Sequence, residues 1–311
     1  MTRVIVIGAG PAGLSAAVRA AELGASTVLV TSGEFGGMAA TDGPVPVRTL
    51  AHAARLIRDA RQLNQYGIAV GEPTFDYSRL LGRVREIVHD VSAHSTRRRD
   101  FDALGVTVHE NAGSARFVDS HTVETESGLR LEGESIILCT GGVSRRLSIP
   151  GFELTHTHSD AWSLKSVPLS ILVVGGGDTG VQVASIFNAF GSRIQLLQSG
   201  PRILPNADED VSTEVTRAFR QSGIEIRENF GSINSFEKTA NGIRMNFTKD
   251  GVPGRAEAAL AVMAVGWVAN TSGMNLATAG VELSDRGFPK SMPSCERRPV
   301  IFLRRGTSPG A

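Results

Sequence analysis

The sequence predicts an α/β protein made of two three-layer units, each built on a parallel sheet, with one unit inserted into the other. Three observations carry that expectation. The chain opens on an apolar run, Arg3-Val4-Ile5-Val6-Ile7, that passes directly into Gly8-Ala9-Gly10-Pro11-Ala12-Gly13 and then into Ala- and Leu-rich sequence. The same order returns at Ile171-Leu172-Val173-Val174 followed by Gly175-Gly176-Gly177-Asp178-Thr179-Gly180. A helical stretch and a set of short alternating segments lie between the two copies.

The first copy reads as a buried strand, a tight turn and a helix, because the uncharged run is short and Gly-x-Gly-x-x-Gly follows at once. Gly8 permits the turn, Gly10 lets the backbone come close to a pyrophosphate, and Gly13 lets the helix pack on the strand. The helix start then presents N–H groups to the anion. Gly24 stops the helix and Thr27 to Val30 form the next strand. Such a unit usually ends its second strand on an acidic residue that binds ribose hydroxyls. Here Thr31 takes that place, and a hydroxyl without the carboxylate's charge gives up roughly 1 to 3 kcal/mol of binding.

After Thr31 comes a stretch from Ser32 to Leu50 that holds Gly36-Gly37-Met38-Ala39, then Gly43-Pro44-Val45-Pro46-Val47-Arg48. Leu50, Ala53, Ala54, Ile57, Ala60 and Leu63 have helical spacing to about Gly67. A second helix is expected from Tyr77 to about Leu104, with Arg83, Arg85 and the triple Arg97-Arg98-Arg99 on a solvated face. Short strands follow at Val106 to Glu110, Ala115 to Val118, Thr122 to Thr125 and Leu129 to Leu131. Ser135 to Leu138 is a buried strand that leads through Cys139 to Thr140-Gly141. His156 and His158 have no third ligand nearby, so a loop or strand edge is the expected reading.

The second copy repeats the opening logic: a helix runs to about Phe190, Gly191 stops it, and Arg193 to Leu197 is a strand. Gln198 now holds the acidic residue's position, and no Arg or Lys follows until Arg202. That leaves the choice between NADH and NADPH open. Asp178 places a carboxylate beside the diphosphate turn, where its charge is unhelpful. Further on, Asp210 to Ser222 is expected as a helix and Ile224 to Glu228, Ser232 to Glu237 and Ile243 to Phe247 as strands. Ala261 to Val265 is a buried strand ending at Gly266. Two such folds imply two nucleotides held by one chain.

Composition agrees and excludes other classes. The 311 residues suffice for about two domains, and 41% apolar with 20% charged residues is the balance of a soluble globular protein. A formal net charge of +1 gives no argument for nucleic acid or an anionic membrane. No apolar run approaches the ~18 residues a membrane span needs. No leader segment is visible, and a cytoplasmic location is expected by default. Cys139 and Cys295 make neither a disulfide framework nor a metal-ligand pattern.

On Gly36, Gly37, Gly43, Pro46 and Arg48, together with Thr140-Gly141 and the Ala264-Val265-Gly266 return, the sequence resembles the flavoprotein pyridine nucleotide-disulfide oxidoreductases. Dihydrolipoamide dehydrogenase, glutathione reductase and mercuric reductase belong to that family. The resemblance covers about residues 1 to 288. It implies two Rossmann-like nucleotide-binding domains, with an NAD(P) domain at 151–268 inserted in a FAD domain formed by 1–150 and 269–288. FAD would lie along Gly8, Ala9, Gly10, Pro11, Ala12, Gly13, Thr31, Gly36, Gly37, Met38, Gly113, Thr140 and Gly141. NAD(P)H would lie on Gly175, Gly177, Thr179, Gly180, Gln182, Gln198 and Gly266. Arg48 matches a lysine near the flavin and is the expected catalytic cation. Gln182 stands for a family glutamate.

Two departures matter more than the matches. Ala39 and Pro44 stand where the family has its redox cysteines, and neither carries a thiolate, so dithiol exchange through this site is excluded. The implied enzyme is a FAD-dependent NAD(P)H oxidoreductase that delivers electrons to a small non-disulfide acceptor such as a quinone. The alternative is a catalytically impaired nucleotide-binding remnant. The second departure is the tail, 289–311, where the resemblance stops and periodicity is lost. Read from the third base of the Pro289 codon, with free choice of synonymous third bases, it yields a run containing His-Ile-Phe-Ala-Ala-Gly-Asp, which is the family's next segment. The expectation is a frameshift near Pro289, a FAD domain without its last strand, and no C-terminal dimerisation domain, although the full-length family forms homodimers.

Overall fold

The computed structural model describes residues 2–33, 35–93, 101–285, 287–290 and 300–302. They group into two compact units. The first comprises the described residues of Met1–Gly43, Val88–Val143 and 267–302; the second comprises Pro44–Ile87 and Ser144–Gly266.

The first unit is built on a five-stranded parallel sheet in the order Val300–Phe302, Ser135–Leu138, Arg3–Ile7, Ser26–Val30, Thr107–His109. Strand alternation divides its side chains between two layers. Val4 and Val6 face the helix Pro11–Glu22 and pack with Leu14, Ala17, Leu29, Phe35 and Phe101. Ile5 and Ile7 face the opposite way and pack with Phe117, Val123 and Leu131. Those residues belong to an antiparallel sheet of Ala115–Phe117, Thr122–Thr125 and Arg130–Glu132. The expectation that this unit lacks its last strand is corrected. Val300–Phe302 runs parallel to Ser135–Leu138, with Val300 opposite Ile136 and Phe302 opposite Leu138. A run of only three apolar residues was too short to register as a period.

The second unit repeats the plan. Its parallel sheet has the order Glu225–Glu228, Arg193–Gln198, Ser170–Val174, Leu260–Met263, His156–Thr157. One face packs on the antiparallel strands Ser232–Thr239, Gly242–Lys249 and Val252–Ala258 through Leu172, Val174, Phe236, Met245 and Phe247. The helix Asp178–Ala189 follows the second glycine turn. A longer helix, Pro44–Gln62, runs beside it, with Arg58 Nη1 donating to Ser185 O at 3.2 Å and Arg61 Nη1 to Ala189 O at 3.1 Å. This helix starts six residues before the expected Leu50. Pro44 lies in its first turn, where a missing N–H deprives no carbonyl of a partner. The second expected helix is present as Tyr77–Ala93, and Arg97 to Arg99 lie outside the described residues. No helix among the described residues is long and apolar enough to cross a membrane.

Candidate functional site

In the first unit the glycine turn joins Arg3–Ile7 to Pro11–Glu22 at the carboxyl end of the sheet, where open α/β sheets take their ligands. Each glycine has a separate cause. Gly8 has φ of +107°, donates to Val30 O at 2.8 Å, and a Cβ there would overlap Cys139 O. A Cβ on Gly13 would overlap Gly8 O. A Cβ on Gly10 would meet nothing within 4 Å. Gly8 and Gly13 are therefore demanded by the fold, whereas Gly10 faces open space at the helix start, where no side chain caps the N–H groups.

Other expected residues gather on this edge. Gly36 donates to Ala9 O at 3.0 Å, and a Cβ on Gly37 would lie 2.9 Å from Gly10 Cα. Those two glycines open the short helix Gly37–Thr41, and Met38 is exposed. Thr31 is buried; its N–H donates to His109 O at 2.9 Å and its carbonyl accepts from Ala112 N at 3.0 Å. That links it to Gly113, whose φ is +73°. Thr140 Oγ1 is enclosed without a hydrogen-bond partner among the described residues, an orphaned hydroxyl beside the turn. Asn270 braces this corner, donating from N to Gly141 O at 3.1 Å and from Nδ2 to Thr140 O at 3.3 Å. A distance of 130 residues hides that pairing in the sequence.

The second turn has the same construction. Gly175 also has φ of +107°, donates to Leu197 O at 2.8 Å, and a Cβ there would overlap Ala264 O. A Cβ on Gly180 would overlap Gly175 O, while one on Gly177 would meet nothing within 4 Å. Thr179 is half-buried and Asp178 and Gln182 are exposed. Asp178 occupies the first helical position, where a carboxylate complements the helix dipole. That accounts for a residue the sequence alone left unexplained.

Gly176 is the site residue that sequence reasoning missed. Its N–H donates to Gln198 Oε1 at 2.9 Å, its carbonyl accepts from Leu204 N at 2.6 Å, and a Cβ on it would lie 2.8 Å from Ile203 Cγ2. Only glycine lets the 199–207 loop lie against the turn. Gln198, expected at a ribose, is thus bonded to the turn itself. Gly266, with φ of +106°, is exposed. Arg48 is an exposed residue of helix Pro44–Gln62 and belongs to the second unit.

The thiol inventory agrees with the loss of disulfide chemistry at Ala39 and Pro44. Cys139 is buried, and burial pushes its thiol up to about 11, away from the thiolate that exchange requires. Cys295 lies outside the described residues. Among the described residues no three His, Cys, Asp or Glu side chains cluster as a metal site. His158 instead faces Ser144, Nδ1 to Oγ 3.2 Å.

Comparison with known proteins agrees with this geometry. The family described as pyridine nucleotide-disulphide oxidoreductase matches residues 2–301. Dihydrolipoyl dehydrogenase of Bacillus subtilis is 28% identical over 301 residues, covering 94% of this chain and 63% of that protein. The enzyme of the same name from Mycobacterium tuberculosis H37Rv is 30% identical over 299 residues, covering 91% of this chain and 61% of its own. Among solved structures, the HOCl-induced flavoprotein disulfide reductase RclA from Escherichia coli superposes with a TM-score of 0.80 at 22% identity, over 97% of this chain and 65% of that one. The chain therefore spans less than two thirds of the length of these relatives.

Proposed function

The chain belongs to the pyridine nucleotide-disulphide oxidoreductases, whose members use FAD and NAD(P)H, and from that premise we propose that it is a FAD-dependent NAD(P)H oxidoreductase with a non-disulfide acceptor. FAD, when bound, supplies the hydride acceptor for the nicotinamide. The observation that carries the reading is the duplicated turn. Gly10 and Gly177 each leave the approach to a helix start open, while the flanking glycines are fixed by backbone overlap. The backbone N–H groups of Gly10, Ala12 and Gly13 would hold the flavin diphosphate, and Thr140 Oγ1 is an enclosed hydroxyl with no partner among the described residues. In the turn from Gly175 to Gly180 the N–H groups of residues 177–180 would hold the nicotinamide dinucleotide in the same way, those of Gly175 and Gly176 being already bonded to Leu197 O and Gln198 Oε1.

Arg48 would supply positive charge to the reaction. Because Ala39 and Pro44 carry no sulfur, electrons would leave to a small acceptor such as a quinone. Arg48 and the site residues named for each nucleotide stand together in this proposal.

Purification and a visible spectrum test it. A yellow protein, or one reconstituted with FAD, whose flavin absorbance is bleached anaerobically by NADH or NADPH and restored by a quinone is the expected result. A colourless chain that cannot be reconstituted would favour the nucleotide-binding remnant, the reading consistent with Thr31 and Gln182 in place of acidic residues.

A further inference from the structure

We propose that the two nucleotide turns are coupled through residues 264–270, with Asn270 as the positioning residue that links the second turn to Thr140 beside the first; this rests on both halves of the proposed function. Each turn sits on one residue at a strand end, and the two seats are alike. Cys139 N donates to Ile7 O at 2.8 Å, and a Cβ on Gly8 would overlap Cys139 O. Ala264 N donates to Val174 O at 2.7 Å, and a Cβ on Gly175 would overlap Ala264 O. The helix glycines lie against the same seats: a Cβ on Gly13 would be 3.2 Å from Cys139 Cβ, and one on Gly180 would be 3.4 Å from Ala264 Cβ. A turn that shifts to admit a diphosphate therefore shifts its seat, because main chain packed this closely transmits strain.

A short run of chain joins the two seats. The backbone passes between the units at 143–144 and again at 266–267, and each pass follows directly on a seat. Cys139 leads out through Thr140 and Gly141, and Ala264 leads back through Val265 and Gly266. The passes are tied to each other within each unit. In the second unit Arg145 N donates to Gly266 O at 2.9 Å; in the first, Asn270 donates from N to Gly141 O at 3.1 Å and from Nδ2 to Thr140 O at 3.3 Å. Asn270 thus grips the two residues that follow the first seat and stands six residues past the second. The joints between are open, since Gly141 and Gly266 have φ of +74° and +106° and a Cβ on either would meet nothing within 4 Å. Thr140 Oγ1, enclosed without a partner among the described residues, can gain a hydrogen bond from a ligand. A ligand at either turn restrains this shared segment, so the next ligand has less to order; the coupling is positive and reciprocal.

The test is fluorescence titration of the full chain with FAD, alone and with NAD+ or NADP+ at saturating concentration. The expected result is about fivefold tighter FAD binding when the nicotinamide nucleotide is present, the lower end of the usual range for coupled sites. Asn270→Ala, at an exposed position, should abolish that gain while its nicotinamide affinity without FAD and its melting temperature stay at wild-type values. Asn270→Asp keeps the shape, loses the Nδ2 donor and should lose the gain as well; it serves where alanine lowers the melting temperature. A side chain that only stabilised the fold would weaken FAD binding equally with and without the second nucleotide and leave the ratio unchanged. FAD affinity indifferent to both nucleotides, or a gain that both variants retain, would overturn the inference while the binding seen in the same titrations leaves the proposed function standing. Failure of FAD or of both nicotinamide nucleotides to bind would overturn the inference together with that half of the proposed function.

Discussion

Gly10→Ala and Gly13→Ala each add one methyl group, three residues apart, and the structure predicts opposite consequences. At Gly13 the added methyl would overlap Gly8 O, a backbone atom that no rotamer change can move. Overpacking of this kind costs about 3 kcal/mol, the upper end of its usual range because the obstacle is main chain. The gain in helix propensity returns at most ~1 kcal/mol. At ~2 to 4 °C per kcal/mol for a chain of this size, the net effect is a melting temperature lower by about 4 to 8 °C. At Gly10 the backbone has φ −75° and ψ 178°, which alanine adopts freely, and the methyl would meet nothing within 4 Å. Its effect on the unliganded chain should lie between zero and a gain of ~1 kcal/mol through the unfolded state. The same methyl would occupy the approach to the helix start, so FAD affinity should fall by about a hundredfold or more, the loss of close backbone contact with a diphosphate. Differential scanning calorimetry of the apo chain, paired with flavin fluorescence titration, separates the two effects. The reasoning is refuted if Gly10→Ala melts as low as Gly13→Ala, or if it keeps wild-type FAD affinity.

Three further outcomes follow from the described geometry. In a Cys295→Ser background the folded chain should not react with an aromatic disulfide reagent at pH 8, because the proton on Cys139 is held to about 11 instead of 9.0. The folded-state value is raised, so the associated stability is complete below pH 9.0 and is lost as pH climbs toward 11; fast labelling at pH 8 without denaturant contradicts this. Arg48→Met should leave bound FAD unchanged and slow anaerobic bleaching by the nicotinamide nucleotide, with Arg48→Lys restoring part of the rate; an unaltered rate removes Arg48 from the mechanism. Sequencing the coding DNA across codon 289 should show third bases that spell the alternate run through Ala-Ala-Gly-Asp, and any other set of third bases ends the frameshift proposal.

Much of this was legible because the two glycine turns impose their spacing on the sequence. Gly8, Gly13, Gly175 and Gly180 are each required by an overlap with backbone that strand, turn and helix create between themselves. No distant information was needed to find them. The start of helix Pro44–Gln62 lay outside the helical spacing that begins at Leu50, because Pro44 and Pro46 interrupt the apolar period although a first turn accepts them. The strand Val252–Ala258 was hidden by Pro253 and Gly254. It is an edge strand, where proline is tolerated, and a Cβ on Gly254 would run into the Phe247 ring. Gly176 against Ile203, Gln198 against Gly176 and Asn270 against Thr140 were out of reach for a different reason. Each is a long-range contact made by a loop whose course no local pattern dictates.

The short strand Val300–Phe302 has a practical consequence. By covering Ser135–Leu138 it makes the bearer of Thr140 an interior strand, with neighbours on both sides. A product that ended before residue 300 would leave the outer amides and carbonyls of Ile136 and Leu138 without their ladder. Rims of that kind recruit strands from other molecules. Proteolytic nicking of the tail should therefore announce itself first as sticking between copies, well before either nucleotide turn has lost its shape.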